Sequence, residues 1–369
     1  MKKEGVELAL KNDVTNRYWY VFSGAYAASD ETGIQLLLFD TATGKLKHIG
    51  GVSGIENPSF LALGEDATQL FAVSETKNGA VVSYAVEPSN GVFREINRQS
   101  TAGSAPCYLS VDDTGKWLYS LNYSSGSVCV FPIEENGNIG EMRHETAHVG
   151  HSVNADRQEA PHPHTIVTVP NSDYLLVTDL GTDTIYVYRH DVAQMTFTLH
   201  ATTQTTPGAG PRHIAFHPTL RVLYVIEELS STVTTYAYDA DSMALTPLQT
   251  VTTLPDDFAG SNTCADVHVT SSGRFLYGSN RGHDSIAAFR ILANGELESV
   301  GFASTSGQTP RNFAVVPNEK FLLVANQDSN DVVVMQLDAD GMPHATGEVY
   351  TQSHPVCLKL HPASQDVNE

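Results

Sequence analysis

The sequence predicts an all-β protein, a seven-bladed β-propeller of four-stranded antiparallel blades. Two observations support this fold class. One pattern of short apolar strands separated by polar turns recurs along nearly the whole chain, at a period of about 45 to 57 residues. The repeat also ends out of phase, because the last unit contains only its first strand, and the N-terminal segment supplies three further strands.

A proline opens the first strand of nearly every unit. In "GPRHIAFHPTLRVLYVIEELSSTVTTY", for example, an alternating strand, a polar turn, an apolar strand, a polar loop and a third strand follow one another. A Gly-rich turn such as Asn90-Gly91, Asn136-Gly137 or Asn294-Gly295 then precedes a fourth strand, and both central residues of such a turn tolerate positive φ. The seven anchors, with cysteine in place of proline in the fifth unit, are Pro58, Pro106, Pro163, Pro211, Cys264, Pro310 and Pro355.

The two ends of the chain are predicted to share one blade. The last anchor opens only "PVCLKLHP", whereas "YWYVFSGAY", "GIQLLLFD" and "LKHIGG" near the N-terminus have no first strand of their own. Pairing these segments closes the ring and removes free sheet edges. We therefore predict one propeller over residues 18–362, an N-terminal extension over 1–17 and a C-terminal tail over 363–369. Two separate β-domains are the alternative, and the unbroken repeat without a linker argues against them.

The composition excludes several classes of partner. The formal net charge is −21, with 42 acidic residues against 21 lysines and arginines, and a field of this sign repels nucleic acid and anionic membranes. The four cysteines show no metal-type spacing, so we expect reduced, mostly buried thiols. We find no apolar run of signal-peptide or transmembrane length and expect a cytoplasmic protein.

One face of the propeller is predicted to carry a site. We name the strands of a blade A to D from the axis outward, so that the D-to-A and B-to-C loops share a face. The residues that directly follow the seven anchors are Ser59, Cys107, His164, Arg212, Ala265, Arg311 and Val356. The B-to-C loops of six units begin with Glu75, Tyr123, Leu180, Glu228, Arg281 and Gln327. Two interblade insertions, "RHETAHVGHSVNADRQEA" and "TLPDDFAGSNTCA", lie on this same face, and such loops often shape a pocket.

A histidine, three arginines and two glutamates near one axis suit hydrolysis of an ester or lactone that carries negative charge. His164 or Glu228 could deprotonate water, while arginines stabilise the oxyanion and hold a phosphate or carboxylate. Neighbouring arginines lower the pKa of a carboxyl group, which favours His164 as the base. Interblade ion pairs that only hold the ring are an alternative interpretation.

A metal site is a further alternative for the two histidines of "APHPH". His162 and His164 could bind a metal together with His144, His148 or His151. No compact His/Asp/Glu spacing typical of a metal site is present, and a proline separates the two histidines. We therefore predict no metal and no cofactor.

The chain resembles the lactonase family of seven-bladed propellers, which includes bacterial 6-phosphogluconolactonases and fungal carboxy-muconate cyclases. The resemblance runs from about Tyr18 to Pro362. Its motifs are "DRQEAPHPHT", "GPRHIAFHP" with "LYVIEELSSTV", "NTCADVHVTSSGRFLYGSNRGHDSIAAF" and "GQTPRNFAVVPNEKFLLVANQDS". One departure is "SGAYAASDETG", which replaces a regular B-to-C loop in the closing blade.

The resemblance implies a catalytic group of His164, Arg212, Glu228 and Arg281. It also implies hydrolysis of 6-phospho-D-glucono-1,5-lactone to 6-phosphogluconate, in the pentose phosphate pathway and without a cofactor. Another anionic lactone, of the muconate type, and a non-catalytic binding propeller are the alternatives. Further candidates for binding the substrate are His162, Arg311, Gln158, Asn280 and Gln327.

Overall fold

The computed structural model describes residues 15–192 and 196–363, and in these ranges 28 strands form seven four-stranded antiparallel sheets. The sheets are the predicted blades, and the all-β propeller is confirmed. Each strand A contacts the A strands of the two neighbouring blades, so that the seven form a closed ring around the axis. Within the described ranges, no helix has the length and apolar character needed to cross a membrane.

The strands that face the axis and those next to them have the following bounds. The A strands, starting from the closing blade, are β28 (Pro355–Pro362), β4 (Leu61–Leu63), β8 (Pro106–Val111), β12 (Pro163–Thr168), β16 (Pro211–Phe216), β20 (Thr263–Val269) and β24 (Pro310–Val315). The B strands, in the same order, are β1 (Tyr18–Ala25), β5 (Gln69–Ser74), β9 (Trp117–Asn122), β13 (Tyr174–Asp179), β17 (Val222–Glu227), β21 (Phe275–Arg281) and β25 (Phe321–Asn326).

The two outer positions of each blade complete the sheets. The C strands are β2 (Ile34–Asp40), β6 (Ala80–Glu87), β10 (Ser127–Pro132), β14 (Thr184–Asp191), β18 (Thr232–Tyr238), β22 (Ser285–Ile291) and β26 (Asp331–Leu337). The D strands are β3 (Lys45–Val52), β7 (Val92–Ser100), β11 (His144–Ala147), β15 (Thr196–Gln204), β19 (Leu245–Thr252), β23 (Leu297–Ser304) and β27 (Pro343–Thr351).

Burial falls from the B strands to the rim. Every residue of β9, β17 and β25 is buried, whereas most residues of β3 and β7 are exposed or partly exposed. The core lies between blades: Leu176 and Val187 of one blade pack in the same cluster as Leu223 and Val225 of the next. Apolar strands buried on both faces explain the continuous hydrophobic runs of the B strands, because each blade is covered by its two neighbours.

The ring closes as the sequence predicts. Strand β28 pairs antiparallel with β1, from Trp19 opposite Pro362 to Gly24 opposite Cys357. Residues 1–14 and 364–369 of the predicted extension and tail lie outside the described residues, so both boundaries stay predictions beyond the first and last strands.

Two details of the predicted repeat are wrong. Part of the first proposed insertion is the D strand β11, so the interblade loop itself comprises residues 148–162. In the Asn-Gly turns, only Gly91, Gly137 and Gly295 have positive φ, at 68°, 85° and 88°. The turns are therefore not of the type that needs two left-handed residues, and the glycine alone takes that conformation.

A β-bulge interrupts the start of most A strands. In β8, β12, β16 and β24 the pairing with strand B skips the residue after the proline, which is Cys107, His164, Arg212 or Arg311. An extra residue bends the strand and re-aims its side chain. Both Arg212 and the next residue, His213, consequently line the space at the axis, although ordinary strand alternation would separate them.

Candidate active site

The residues after the anchors meet at the axis on one face of the ring. They surround a small cavity whose lining includes Ser59, Glu75, Cys107, His164, Arg212 and Arg311, together with His213 and Asn312. The volume of the cavity is about 10 Å³, which is room for about one water molecule. The two register positions compared in the sequence are therefore brought together.

Glu228 is bound by three arginines from three places in the chain. Its Oε2 lies 2.9 Å from Nε of Arg212 and 2.9 Å from an Nη of Arg281, while Oε1 accepts a short hydrogen bond from Arg157. Arg212 belongs to the same blade as Glu228, Arg281 to the next blade, and Arg157 to the 148–162 loop. The cluster therefore does link blades, as the ion-pair interpretation of the sequence proposes.

Burial and charge determine the protonation of this cluster. Burial alone would raise the pKa of Glu228, but the charges of Arg281, Arg212 and Arg157 outweigh it and hold the pKa well below its usual 4.5. Burial, with the nearby charges of Arg281 and Arg311, lowers the pKa of Arg212 to about 10. At neutral pH, Glu228 is thus a carboxylate and its arginine partners are cations.

Arg212 is held from behind by a buried chain of hydrogen bonds. One Nη donates to the carbonyl of Ala265 at 2.6 Å and lies 3.2 Å from Nε2 of His213. An arginine can only donate, so Nε2 of His213 accepts, and its Nδ1 donates to Asp266 at 2.7 Å. Burial, followed by the charge of Arg212, lowers the pKa of His213 to about 4. The imidazole is therefore neutral, with its tautomer set by its two partners.

His164 is a buried histidine with an unused nitrogen. Its exposed fraction is only 4%, and its Nδ1 is buried with no hydrogen-bond partner among the described residues. Burial, followed by the charge of Arg212, lowers its pKa well below 6.5. The ring packs edge-on against His213 and Tyr123, at centroid distances of 5.2 and 5.7 Å. His164 is hence neutral and available for one more hydrogen bond at the cavity.

The opposite side of the cavity holds a second carboxylate. Glu75 accepts a short hydrogen bond from Ser59, and the Tyr26 hydroxyl lies 3.1 and 3.0 Å from its two oxygens. The guanidinium of Arg311 lies 5.3 Å from the centre of the Tyr26 ring, and it has no hydrogen-bond or ion-pair partner in the described part of the chain. Burial opposes the charge of Arg311, but Tyr26 and Glu75 more than offset this and raise its pKa.

Sequence reasoning missed Tyr26 and Arg157. Tyr26 follows strand β1 and is the B-to-C residue of the closing blade, a position hidden because that loop looked irregular. Arg157 lies inside the motif "DRQEAPHPHT", and the available signal was a fourth arginine in an insertion on the site face. Its side chain is 39% exposed, the most open of the three that bind Glu228.

Two of the predicted substrate-binding residues have their side chains used inside the scaffold. Buried Asn280 donates to the Thr253 carbonyl and to Ser285, and its repeat equivalents Asn122 and Asn326 make the corresponding bonds at the end of their B strands. Fully buried Gln158 donates to the carbonyl of Leu180 and accepts from the backbone of its own loop. Neither side chain is directed to the arginine cluster.

Besides Arg311, the remaining predicted binding residues are His162, directly before β12, and Gln327, directly after β25. His162 stacks on the Tyr123 ring at 4.5 Å, and its Nδ1 donates to the Tyr123 carbonyl at 2.9 Å. Gln327 donates to Asp328, and its Oε1 is buried without a partner in the described ranges. His162 therefore holds the Tyr123 ring in place, while Gln327 keeps one free hydrogen-bond acceptor.

The histidines considered for a metal do not converge. His148 is buried between Asp179, 2.6 Å from its Nδ1, and the Tyr188 hydroxyl, 2.9 Å from its Nε2. Within residues 15–192 and 196–363, no group of three or more His, Cys, Asp or Glu side chains is arranged to hold a metal ion.

Residues 20–360 match a family model described as lactonase, 7-bladed beta-propeller. The chain belongs to this lactonase family. A Bacillus subtilis relative named 6-phosphogluconolactonase is 34% identical, covering 92% of this chain and 97% of the relative. A Formosa agariphila protein of the same name is 33% identical over 84% of this chain and 89% of its own.

Two solved structures are similar to this chain over nearly its whole length. The structure of the Pseudomonas aeruginosa periplasmic gluconolactonase superimposes with a TM-score of 0.88 at 32% identity, and covers 93% of this chain and 99% of its own. A Lactobacillus plantarum protein of solved structure has a TM-score of 0.87 at 29% identity, with 93% and 99% covered. The two sequence relatives are thus named for a phosphorylated lactone, and the Pseudomonas aeruginosa structure is named for gluconolactone.

Proposed function

We propose that this lactonase-family protein hydrolyses 6-phospho-D-glucono-1,5-lactone to 6-phosphogluconate. One observation carries the proposal: four arginines lie together at the axial opening on the site face, which we call the mouth, in a chain whose net charge is −21. These are Arg157, Arg212, Arg281 and Arg311. Two carboxylates, Glu75 and Glu228, balance only part of that charge. Such a local basic site in an acidic protein suits a small anionic lactone as substrate.

The arginines divide into two groups by their partners. Arg212 is rigidly held by Ala265, His213 and Glu228, so it is suited to stabilise the oxyanion that forms at the lactone carbonyl, a role that depends on preorganised donors. Arg311 has free donors and therefore suits the phosphate. Arg281 and Arg157 complete the positive wall beside Glu228.

Glu228 and His164 have different roles in this proposal. Glu228 is committed to three arginines, and its lowered pKa makes it a poor proton acceptor. We assign it the task of holding Arg212 and Arg281 in place. Neutral His164, with its free Nδ1, orients the lactone or the attacking water through one hydrogen bond.

Hydrolysis of an unphosphorylated lactone is the second candidate, favoured by the likeness to the Pseudomonas aeruginosa gluconolactonase. The test is to compare kcat/KM for 6-phosphogluconolactone and glucono-1,5-lactone, each corrected for spontaneous hydrolysis. The proposal expects at least a tenfold preference for the phosphorylated lactone, because a phosphate–arginine contact is charge-assisted. A preference for the unphosphorylated lactone would favour the second candidate.

We also propose a cytoplasmic location. The support is the presence of four buried cysteines, all unpaired, as is usual in a reducing compartment. A structural relative is described as periplasmic, so cell fractionation is the direct test, and recovery in a periplasmic fraction would contradict the proposal.

A further inference from the structure

We propose that Glu75 is the catalytic base that activates water for lactone hydrolysis, an inference that rests on the proposed function. The comparison of register positions places Glu75 on the site face, but neither that comparison nor the family resemblance assigns this residue a role in the reaction. It lies across the cavity from the Arg212–Glu228 cluster, in the B-to-C loop next to the closing blade.

The other acid–base groups near the cavity are poorly suited to take a proton from water. Glu228 gives both carboxylate oxygens to arginines. His164 is buried beside Arg212 and Arg311, and burial together with their positive charges disfavours protonation of its imidazole. The Cys107 thiol is buried, and burial raises its pKa far above neutrality.

Glu75 meets the geometric requirements for this role. It is the carboxylate among the residues that line the cavity, and that cavity has room for about one water molecule. Ser59 and Tyr26 donate to its oxygens and fix its orientation. Oε2 accepts from both donors, whereas Oε1 accepts only from Tyr26 and retains a lone pair to accept a bond from water. His164, Arg212 and Arg311 line the same cavity, so a water beside Glu75 also adjoins the proposed oxyanion donor.

The step balances without any additional reactant. Glu75 accepts one proton from water as the water oxygen bonds to the lactone carbonyl carbon, and Arg212 stabilises the resulting oxyanion. The ring C–O bond then breaks, and the leaving ring oxygen takes that proton back from Glu75. This last transfer restores the starting carboxylate of Glu75. The product is a hydroxy acid that releases its carboxylic proton to solvent.

The test compares Glu75→Gln with Glu56→Gln, an exposed glutamate in the neighbouring interblade loop. Steady-state rates are measured with 6-phosphogluconolactone and with glucono-1,5-lactone, together with inhibition by 6-phosphogluconate and the Tm. We expect Glu75→Gln to lower kcat at least 100-fold on every lactone that the wild type hydrolyses, the low end of the ~10²–10⁴ range for acid–base groups. KM and product inhibition should change less than threefold.

Each other outcome has a defined meaning. If Glu75→Gln keeps kcat within threefold of Glu56→Gln, Glu75 is not the base. If Glu75→Gln does not fold, Glu75→Asp is the second variant, because it keeps the charge but shortens the reach; full activity in a folded Glu75→Asp variant would likewise overturn the role. If the wild type hydrolyses neither lactone above background, the proposed function itself fails, and the role of Glu75 fails with it.

Discussion

Replacing Glu228 with glutamine tests the account of the arginine cluster. The substitution keeps the shape of the side chain but removes the buried charge that faces Arg157, Arg212 and Arg281. Removing one partner of a buried ion pair costs about 3–5 kcal/mol, because the remaining charge is left uncompensated. We therefore expect a folded but less stable protein.

The size of the effect on Tm follows from the length of the chain. If the ring unfolds as one unit, 369 residues with an unfolding entropy of about 2.1 cal/mol/K each convert that loss into a Tm decrease of about 4–6 °C. The control is Glu298→Gln, which removes an exposed pair with Arg290 at 3.8 Å. A surface pair is worth about 0–1 kcal/mol, so the control should change the Tm by less than about 1.5 °C.

The same variant should bind anions more tightly. With the carboxylate gone, three arginines can turn to a phosphate, so we expect the Kd for inorganic phosphate to fall at least tenfold, or about 1.4 kcal/mol. Thermal unfolding with and without phosphate measures both effects, since a ligand that binds only the folded state raises the Tm. A Tm equal to that of the wild type, with unchanged phosphate binding, would refute the electrostatic reasoning.

Three further predictions concern specificity and pH. Arg311→Gln should raise KM for the phosphorylated lactone at least tenfold but for glucono-1,5-lactone less than threefold; equal changes would disprove its phosphate role. The Tm gap between wild type and Glu228→Gln should be constant above about pH 5 and narrow as the pH falls below 4.5. The reason is that a carboxyl group with a depressed folded-state pKa stabilises the fold fully above its unfolded pKa, and this stabilisation is lost as the pH falls towards the folded-state pKa. The wild-type Tm should fall from pH 6.5 towards 4, since buried His213 is neutral when folded but protonates when unfolded; His213→Gln should reduce this slope, and an unchanged slope would contradict it.

The sequence predicts the propeller and the main residues of its mouth for a simple physical reason. A repeated unit places equivalent residues at equivalent radii, so comparing register positions also compares places around the axis. His164, Arg212, Glu228 and Arg281 follow from that comparison, and the structure brings them together. The comparison of register positions did not include Tyr26, because its blade is divided between the two ends of the chain.

The remaining differences depend on side-chain direction and loop path, which register alone does not give. Asn280 directly precedes Arg281 in β21, so strand alternation turns it away from its neighbour, and its equivalents Asn122 and Asn326 reveal a repeated structural role. Arg157 reaches Glu228 only because the 148–162 loop folds back over the mouth. The bulges that re-aim Arg212 and Arg311 each follow the proline that opens the strand, and proline inside a sheet is typical of bulges. The comparison of register positions alone does not contain this displacement.

We propose that a sugar-phosphate lactone is hydrolysed at this mouth. The most direct measurement is the rate of loss of 6-phosphogluconolactone, generated in situ, with the wild type, His164→Ala, Arg212→Ala and the exposed control Arg290→Ala. We predict a clear excess over spontaneous hydrolysis for the wild type and the control, and at least a 100-fold loss of that excess in the two site variants. No excess with the wild type, or equal activity in all four proteins, would contradict the account.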